Sequence, residues 1–197
     1  MSESAPLPQT AAAFPRSLRQ LILRRATGYL ELAELLVDGE HPTPPAARRV
    51  LERALGELAG LPEEVRRQPE PSLLEGEALR SLGRWTDAIP PLTRAAEALP
   101  IRIEPWLGLG WCLKRLGRLD EAIVMLERGR AASPQQPILL YNLACYHSLA
   151  GNVPAAIDHL TKAISLDDRF RDLTGEERDF DPIRGDPRFM AAVHLTV

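Results

Sequence analysis

Gly83, Gly117 and Gly151 stand 34 residues apart in succession, and each is embedded in a near-copy of one short text. The copies read LRSLGRWTDAIPPLTRAAEALP, LKRLGRLDEAIVMLERGRAASP and HSLAGNVPAAIDHLTKAISLDD. A period of this length constrains the fold strongly. Each unit is one supersecondary module too small to bury its own apolar face, so neighbours must stack to close a core. The same step carries Gly76 to Gly110 and Ala144, Ala88 to Ala122 and Ala156, and Ile89 to Ile123 and Ile157. It also carries Leu92 to Leu126 and Leu160, and Ala95 to Gly129 and Ala163. Small residues in fixed register mark places where two helices cross closely, and the turn glycine suits a backbone with φ > 0. Each unit therefore reads as helix, short turn, helix.

These positions resemble the tetratricopeptide repeat (TPR). The middle unit carries the pattern most fully, with Trp106, Leu109, Gly110, Leu113, Gly117, Ala122, Leu126 and Pro134. The third has Leu143, Ala144, Gly151, Ala156, Leu160 and Ala163, with Asp168 where Pro is usual. The first has Gly76, Leu79, Gly83, Ala88, Leu92, Ala95 and Pro100, but places Pro90 and Pro91 early in its second helix. Proline removes a backbone donor and clashes with the preceding turn, so that helix is expected to start late, near Ile89 or Pro90, or to kink. The resemblance implies an all-α, right-handed superhelical stack of antiparallel helix pairs. Its expected divisions are 69–102, 103–136 and 137–170.

Composition agrees. Leu and Ala are abundant, which favours helix, and 197 residues suit one elongated domain. A net charge of −3 makes no electrostatic case for nucleic acid or an anionic membrane. Cys112 and Cys145 have no metal-ligand spacing and read as reduced thiols in a cytoplasmic protein. The amino terminus lacks a basic start and an unbroken apolar stretch, so it is not read as a secretion signal. Residues 1–15 are expected to be a flexible tail, and no segment has the length and apolarity to span a bilayer.

Residues 16–68 read as a degenerate repeat that caps the stack. Leu18, Leu21, Ile22, Tyr29, Leu32, Leu35 and Leu36 recur at helical spacing, which predicts a helix over Arg16 to Val37. The breaker-rich GEHPTPPAA predicts a loop. A second helix is expected from Pro45 to Ala59, with Val50, Leu51, Leu55 and Leu58 inward, and LPEEVRRQPEP then reads as a connector. At the other end, 171–197 holds Phe180 and Phe189, with Phe170 just before them. This segment predicts a cap whose phenylalanines cover the last repeat. Asp181-Pro182 and Asp186-Pro187 each suit a helix start, so two short helical pieces are expected, the second over Pro187 to His194. The acidic run Glu176, Glu177, Asp179, Asp181 lacks the spaced loop of a calcium site and reads as a solvated cap.

The family resemblance also implies where function lies: the first helices of successive units line a concave groove. Leu73, Glu77 and Arg80 would point into it from the first unit. Leu107, Trp111, Lys114 and Arg115 would come from the second, and Tyr141, Cys145 and Ser148 from the third. Large aromatics with Arg anchor peptides and protein surfaces; the alternative is that Trp111 and Tyr141 only pack between helices. Trp85 and Trp106 read as structural. The Lys, Asn and Arg set with which some TPR proteins hold a chaperone's terminal carboxylate is not reproduced: Asn142 matches one position, but Gly108 replaces the Asn one unit earlier.

Catalysis has little support. His41, His147, His159 and His194 are scattered, and Cys145 with His147 on one helix point in different directions. His147 takes the place of Leu79 and Leu113, so it reads as a neutral, partly buried histidine held by a hydrogen bond. The expectation is a non-enzymatic module without cofactor or metal. It would bind a protein or peptide with an apolar anchor and an acidic residue, and neither nucleic acid nor membrane. The alternatives are a structural subunit acting through its ends or convex face, and a chaperone-type co-factor.

Overall fold

The computed structural model describes residues 14–36 and 43–194. Among them the secondary structure is entirely helical, and no described helix is long and apolar enough to cross a membrane. Two compact units divide between Leu99 and Pro100.

The first unit holds α1 (Arg16–Glu34), α2 (Pro45–Ala59), the short α3 (Glu63–Arg66), α4 (Pro69–Ser81) and α5 (Trp85–Ala98). Proline opens α2 and α4 at their first position, where a missing N–H costs nothing and φ is already helical. Helix α1 packs on α2, α4 on α5, and both α1 and α2 touch α4. Phe14 is buried with Ile22, Leu23, Ala26, Leu58, Leu61 and Val65. It is therefore core, not the end of a loose tail; residues 1–13 lie outside the described residues. The inner face of α1 is Ile22, Leu23, Ala26 and Ala33, whereas Leu21, Leu32, Leu35 and Leu36 are exposed. Both sets have helical spacing, and the small Ala26 and Ala33, which carry little hydrophobic signal, mark the face that approaches α2 and α4. Helix α1 ends at Glu34, short of Val37. The connector holds α3, with Val65 in the core.

Helix α5 starts at Trp85 and runs through Pro90 and Pro91. Their rings remove the bonds to the carbonyls of Thr86 and Asp87, both on exposed residues that water can solvate. Ala88, Leu92, Ala95 and Ala96 are fully buried, so tertiary packing holds the helix where local propensity would delay it.

The second unit holds α6 (Glu104–Arg115), α7 (Leu119–Ala132), α8 (Pro137–Leu149), α9 (Val153–Leu166), α10 (Arg169–Glu176), a 3₁₀ segment (Arg178–Ile183) and α11 (Pro187–His194). Gly83, Gly117 and Gly151 have φ of 75°, 75° and 73°, and the same two backbone bonds surround each. In the middle turn Gly117 N–H donates to Lys114 O and Arg118 N–H to Leu113 O, the pattern of a Schellman cap. Trp106 is 3% exposed; its Nε1 donates to Pro100 O at 3.0 Å, and its ring lies where a Cβ on Gly129 would come within 2.7 Å.

The carboxy-terminal cap has three pieces. Helix α10 is followed by the 3₁₀ segment, whose start is set by Glu177 accepting from Asp179 N–H at 3.0 Å. Asp181-Pro182 therefore lies inside this segment and does not open it. Asp186 does act as a helix start, accepting from Arg188 N–H at 2.8 Å. The Arg188 guanidinium beside it, with that backbone bond, pulls its carboxyl down to about 2.

Candidate functional site

Helix α8 presents Tyr141, Cys145 and Ser148 on one face, and all three are buried. What covers them is the cap. The 3₁₀ segment packs on α8, and the Tyr141 ring meets Phe170 at 4.9 Å and Phe180 edge-on at 5.7 Å. Phe189 backs Phe180 at 5.4 Å. Lys114 of α6 reaches across to Asp179 at 2.5 Å, with both side chains less than a fifth exposed. Its ammonium also sits 5.1 Å from the Trp111 ring and 5.3 Å from that of Tyr146, within the range of a cation–π contact.

The acid–aromatic pair Asp179-Phe180 thus lies against residues that the family resemblance implies for a ligand-binding groove. Burial drives the Tyr141 phenol well above its ordinary value, with Cys145, Glu177 and Asp179 adding to it. Burial likewise raises the Cys145 thiol, reinforced by Glu177 and Asp179. Cys145 is therefore an uncharged, packed thiol and a poor nucleophile. Trp111 Nε1 and Ser148 Oγ are buried with no hydrogen-bond partner, an arrangement that costs about 1–3 kcal/mol for each group.

The remaining groove residues are placed differently. Arg115 is exposed and Leu107 half-buried. In the first unit Leu73 is buried, and Glu77 and Arg80 pair with each other at 2.6 Å. Asn142 donates to Ile138 O on its own helix, so its amide is engaged locally. Cys145 turns to the cap, while His147 stacks on His159 with ring centroids 5.3 Å apart; the two do not form a dyad. His41 lies outside the described residues. The sequence reading missed the meeting of Glu127, His147 and His159, which three separate helices bring together. A signal was available: the residues 34 before the two histidines are Leu113 and Met125, and those 68 before are Leu79 and Pro91, all apolar.

Residues 79–144 match the tetratricopeptide repeat family model. No curated protein is significantly similar to the chain in sequence. Solved structures are similar in fold. A MamA fragment, 41 to the end, from Desulfovibrio magneticus RS-1 is 21% identical over 77% of this chain and 82% of that one, with a TM-score of 0.56. A crystal structure of MamA is 17% identical over 78% and 86%, with a TM-score of 0.57. An RS-1 MamA double mutant is 18% identical over 85% and 94%, with a TM-score of 0.56. The chain has a TPR-like, all-α helix-pair fold.

Proposed function

We propose that the protein is a non-enzymatic binding module that takes a short aromatic–acidic segment of a partner protein on the α6–α8 face. The supporting observation is the seating of Asp179-Phe180, which pairs Lys114 with a carboxylate and covers Tyr141 with an aromatic ring. A face that accepts this chemistry from its own chain suits the same chemistry presented by another. On this reading the cap competes with the partner, and Trp111, Lys114, Arg115, Tyr141, Cys145 and Ser148 form the receiving surface. Leu107 borders it, and Leu73, Glu77 and Arg80 are the equivalent positions of α4.

The same proposal reads 69–102, 103–136 and 137–170 as three repeats and 16–68 as a degenerate fourth, supported by the packing of α1 and α2 on α4. A cytoplasmic location fits the two buried cysteines, Cys112 and Cys145.

A peptide of the sequence Glu177–Arg184, labelled and titrated into the full chain, tests the binding face. The wild type should bind it weakly, Phe180→Ala should bind it more tightly by about tenfold, and Phe180→Ala with Lys114→Glu should lose that gain. The second reading, a structural subunit whose cap never leaves, is favoured by the burial of Phe180 and Phe189. It predicts no binding by any of the three chains. Capture of native partners that survives both Trp111→Ala and Arg115→Glu would also sink the groove.

A further inference from the structure

Glu127 of α7, His147 of α8 and His159 of α9 each offer one ligand atom, and these atoms all lie within 4.8 Å of one another. We propose that they form a binding site for a divalent transition-metal ion of the zinc class, with a fourth position left for water. This site departs from the expectation that the chain binds no metal. It lies on a different face of α8 from Tyr141, Cys145 and Ser148, and stands independently of the peptide-binding reading.

Geometry carries the assignment. Tetrahedral ligands at about 2.0–2.1 Å from an ion are separated from each other by about 3.3–3.4 Å. His159 Nε2 lies 3.4 Å from Glu127 Oε1, which is that edge. It is long for a charge-assisted hydrogen bond, which closes to about 2.7–2.9 Å. His147 offers its nitrogen within 4.8 Å of the other two ligand atoms, so bringing it to the same distance takes a shift of at most about 1.4 Å, within reach of side-chain rotation. The two rings stack with planes 3° from parallel, and because each lone pair lies in its ring plane, one ring must turn about its side-chain torsions for both to reach a single ion.

The surroundings fit a ligand set better than a structural pair. Glu127 Oε2 accepts from Arg130 Nε at 2.6 Å, which orients the carboxylate and leaves Oε1 toward His159, as outer-shell partners do in metal sites. The His159 side chain is only 11% exposed, and that of Glu127 34%. His159 Nδ1 is buried with no hydrogen-bond partner, so the ring is held by packing and by the approach of its Nε2 to Glu127. The groups facing His159 are Glu127, His147, Asp158 and Arg130. Arg130 opposes the ion's charge, and the two carboxylates favour it.

The internal repeats add an independent argument. The two earlier units hold Leu79 and Leu113 where the third has His147, and Pro91 and Met125 where it has His159. Packing in this fold therefore asks for apolar groups at both positions. The third unit replaces both, beside a glutamate found where its neighbours carry Thr93 and Thr161.

The test titrates the untagged, chelator-stripped full chain with Zn(II) by calorimetry and with Co(II) by visible absorption. One equivalent should bind, with the absorption of a four- or five-coordinate nitrogen–oxygen site. His147→Ala, His159→Ala and Glu127→Gln should each weaken it by about tenfold or more, with circular dichroism confirming that each is folded. Glu127→Gln and His147→Ala, both at partly exposed positions, decide the matter if His159→Ala does not fold. Three results would overturn the site: no binding at about 100 μM metal, unchanged affinity in folded variants, or a thiolate charge-transfer band implicating Cys112 or Cys145.

Discussion

At the scale of single residues, the repeat period explains most side chains, and its exceptions mark special contacts. Gly129 interrupts a column otherwise filled by Ala95 and Ala163. A Cβ at this position would stand 2.7 Å from Trp106 Cγ and 2.8 Å from its Cβ, atoms close to the backbone that cannot swing away. Gly129→Ala should therefore destabilise the fold by about 1–3 kcal/mol, measured by urea unfolding. In the turn, Gly117 has open space for a Cβ but a φ of 75°. Gly117→Ala should cost roughly 1–2 kcal/mol for a conformational reason alone. Combining Gly129→Ala with Trp106→Leu separates the two causes: the clash disappears, and the Gly129→Ala penalty should shrink in a double-mutant cycle.

At the scale of elements, the cap is the part whose consequences were least visible beforehand. The phenylalanines do cover the last helix pair as expected, but the 3₁₀ segment also lies on the α8 face and draws Lys114 into an ion pair. Phe180 is fully buried, and Phe180→Ala should cost about 3–5 kcal/mol. It should also expose Cys145. A thiol reagent should label Cys145 slowly in the wild type and much faster in Phe180→Ala, with Cys112 unchanged as the internal control. Equal labelling of both cysteines would mean that the variant unfolds broadly and that the cap is not a separable element.

At the scale of the molecule, acid is expected to loosen the fold. His147 and His159 titrate below the ordinary 6.5 because burial penalises their charged forms. Above 6.5 both are neutral in folded and unfolded chains and contribute no pH dependence. As pH falls below 6.5 the unfolded chain takes up these protons first, so stability declines toward the lower folded values. Thermal unfolding should show this decline as pH is lowered below 6.5. It should be smaller in a chain carrying His147→Leu and His159→Met, the residue types of the preceding unit. A decline of the same size in that variant would assign it to other groups.

The spacing of Gly83, Gly117 and Gly151 was enough to read helix pairs, turn positions and the register of the small residues. Those features are local: φ at a turn, a proline at a helix start and a 3.6-residue apolar period are each specified by the residues involved. Four things depended on distant partners. The inner face of α1 is chosen by what α2 and α4 offer, and α5 persists through Pro90 and Pro91 because Leu92 and its neighbours are buried. The occupation of Tyr141 by Phe180, and the meeting of Glu127 with His147 and His159, join residues 39, 20, 12 and 32 positions apart. Linear spacing carries no distance between such residues. Only the packing of α7, α8, α9 and the cap brings them within reach of one another.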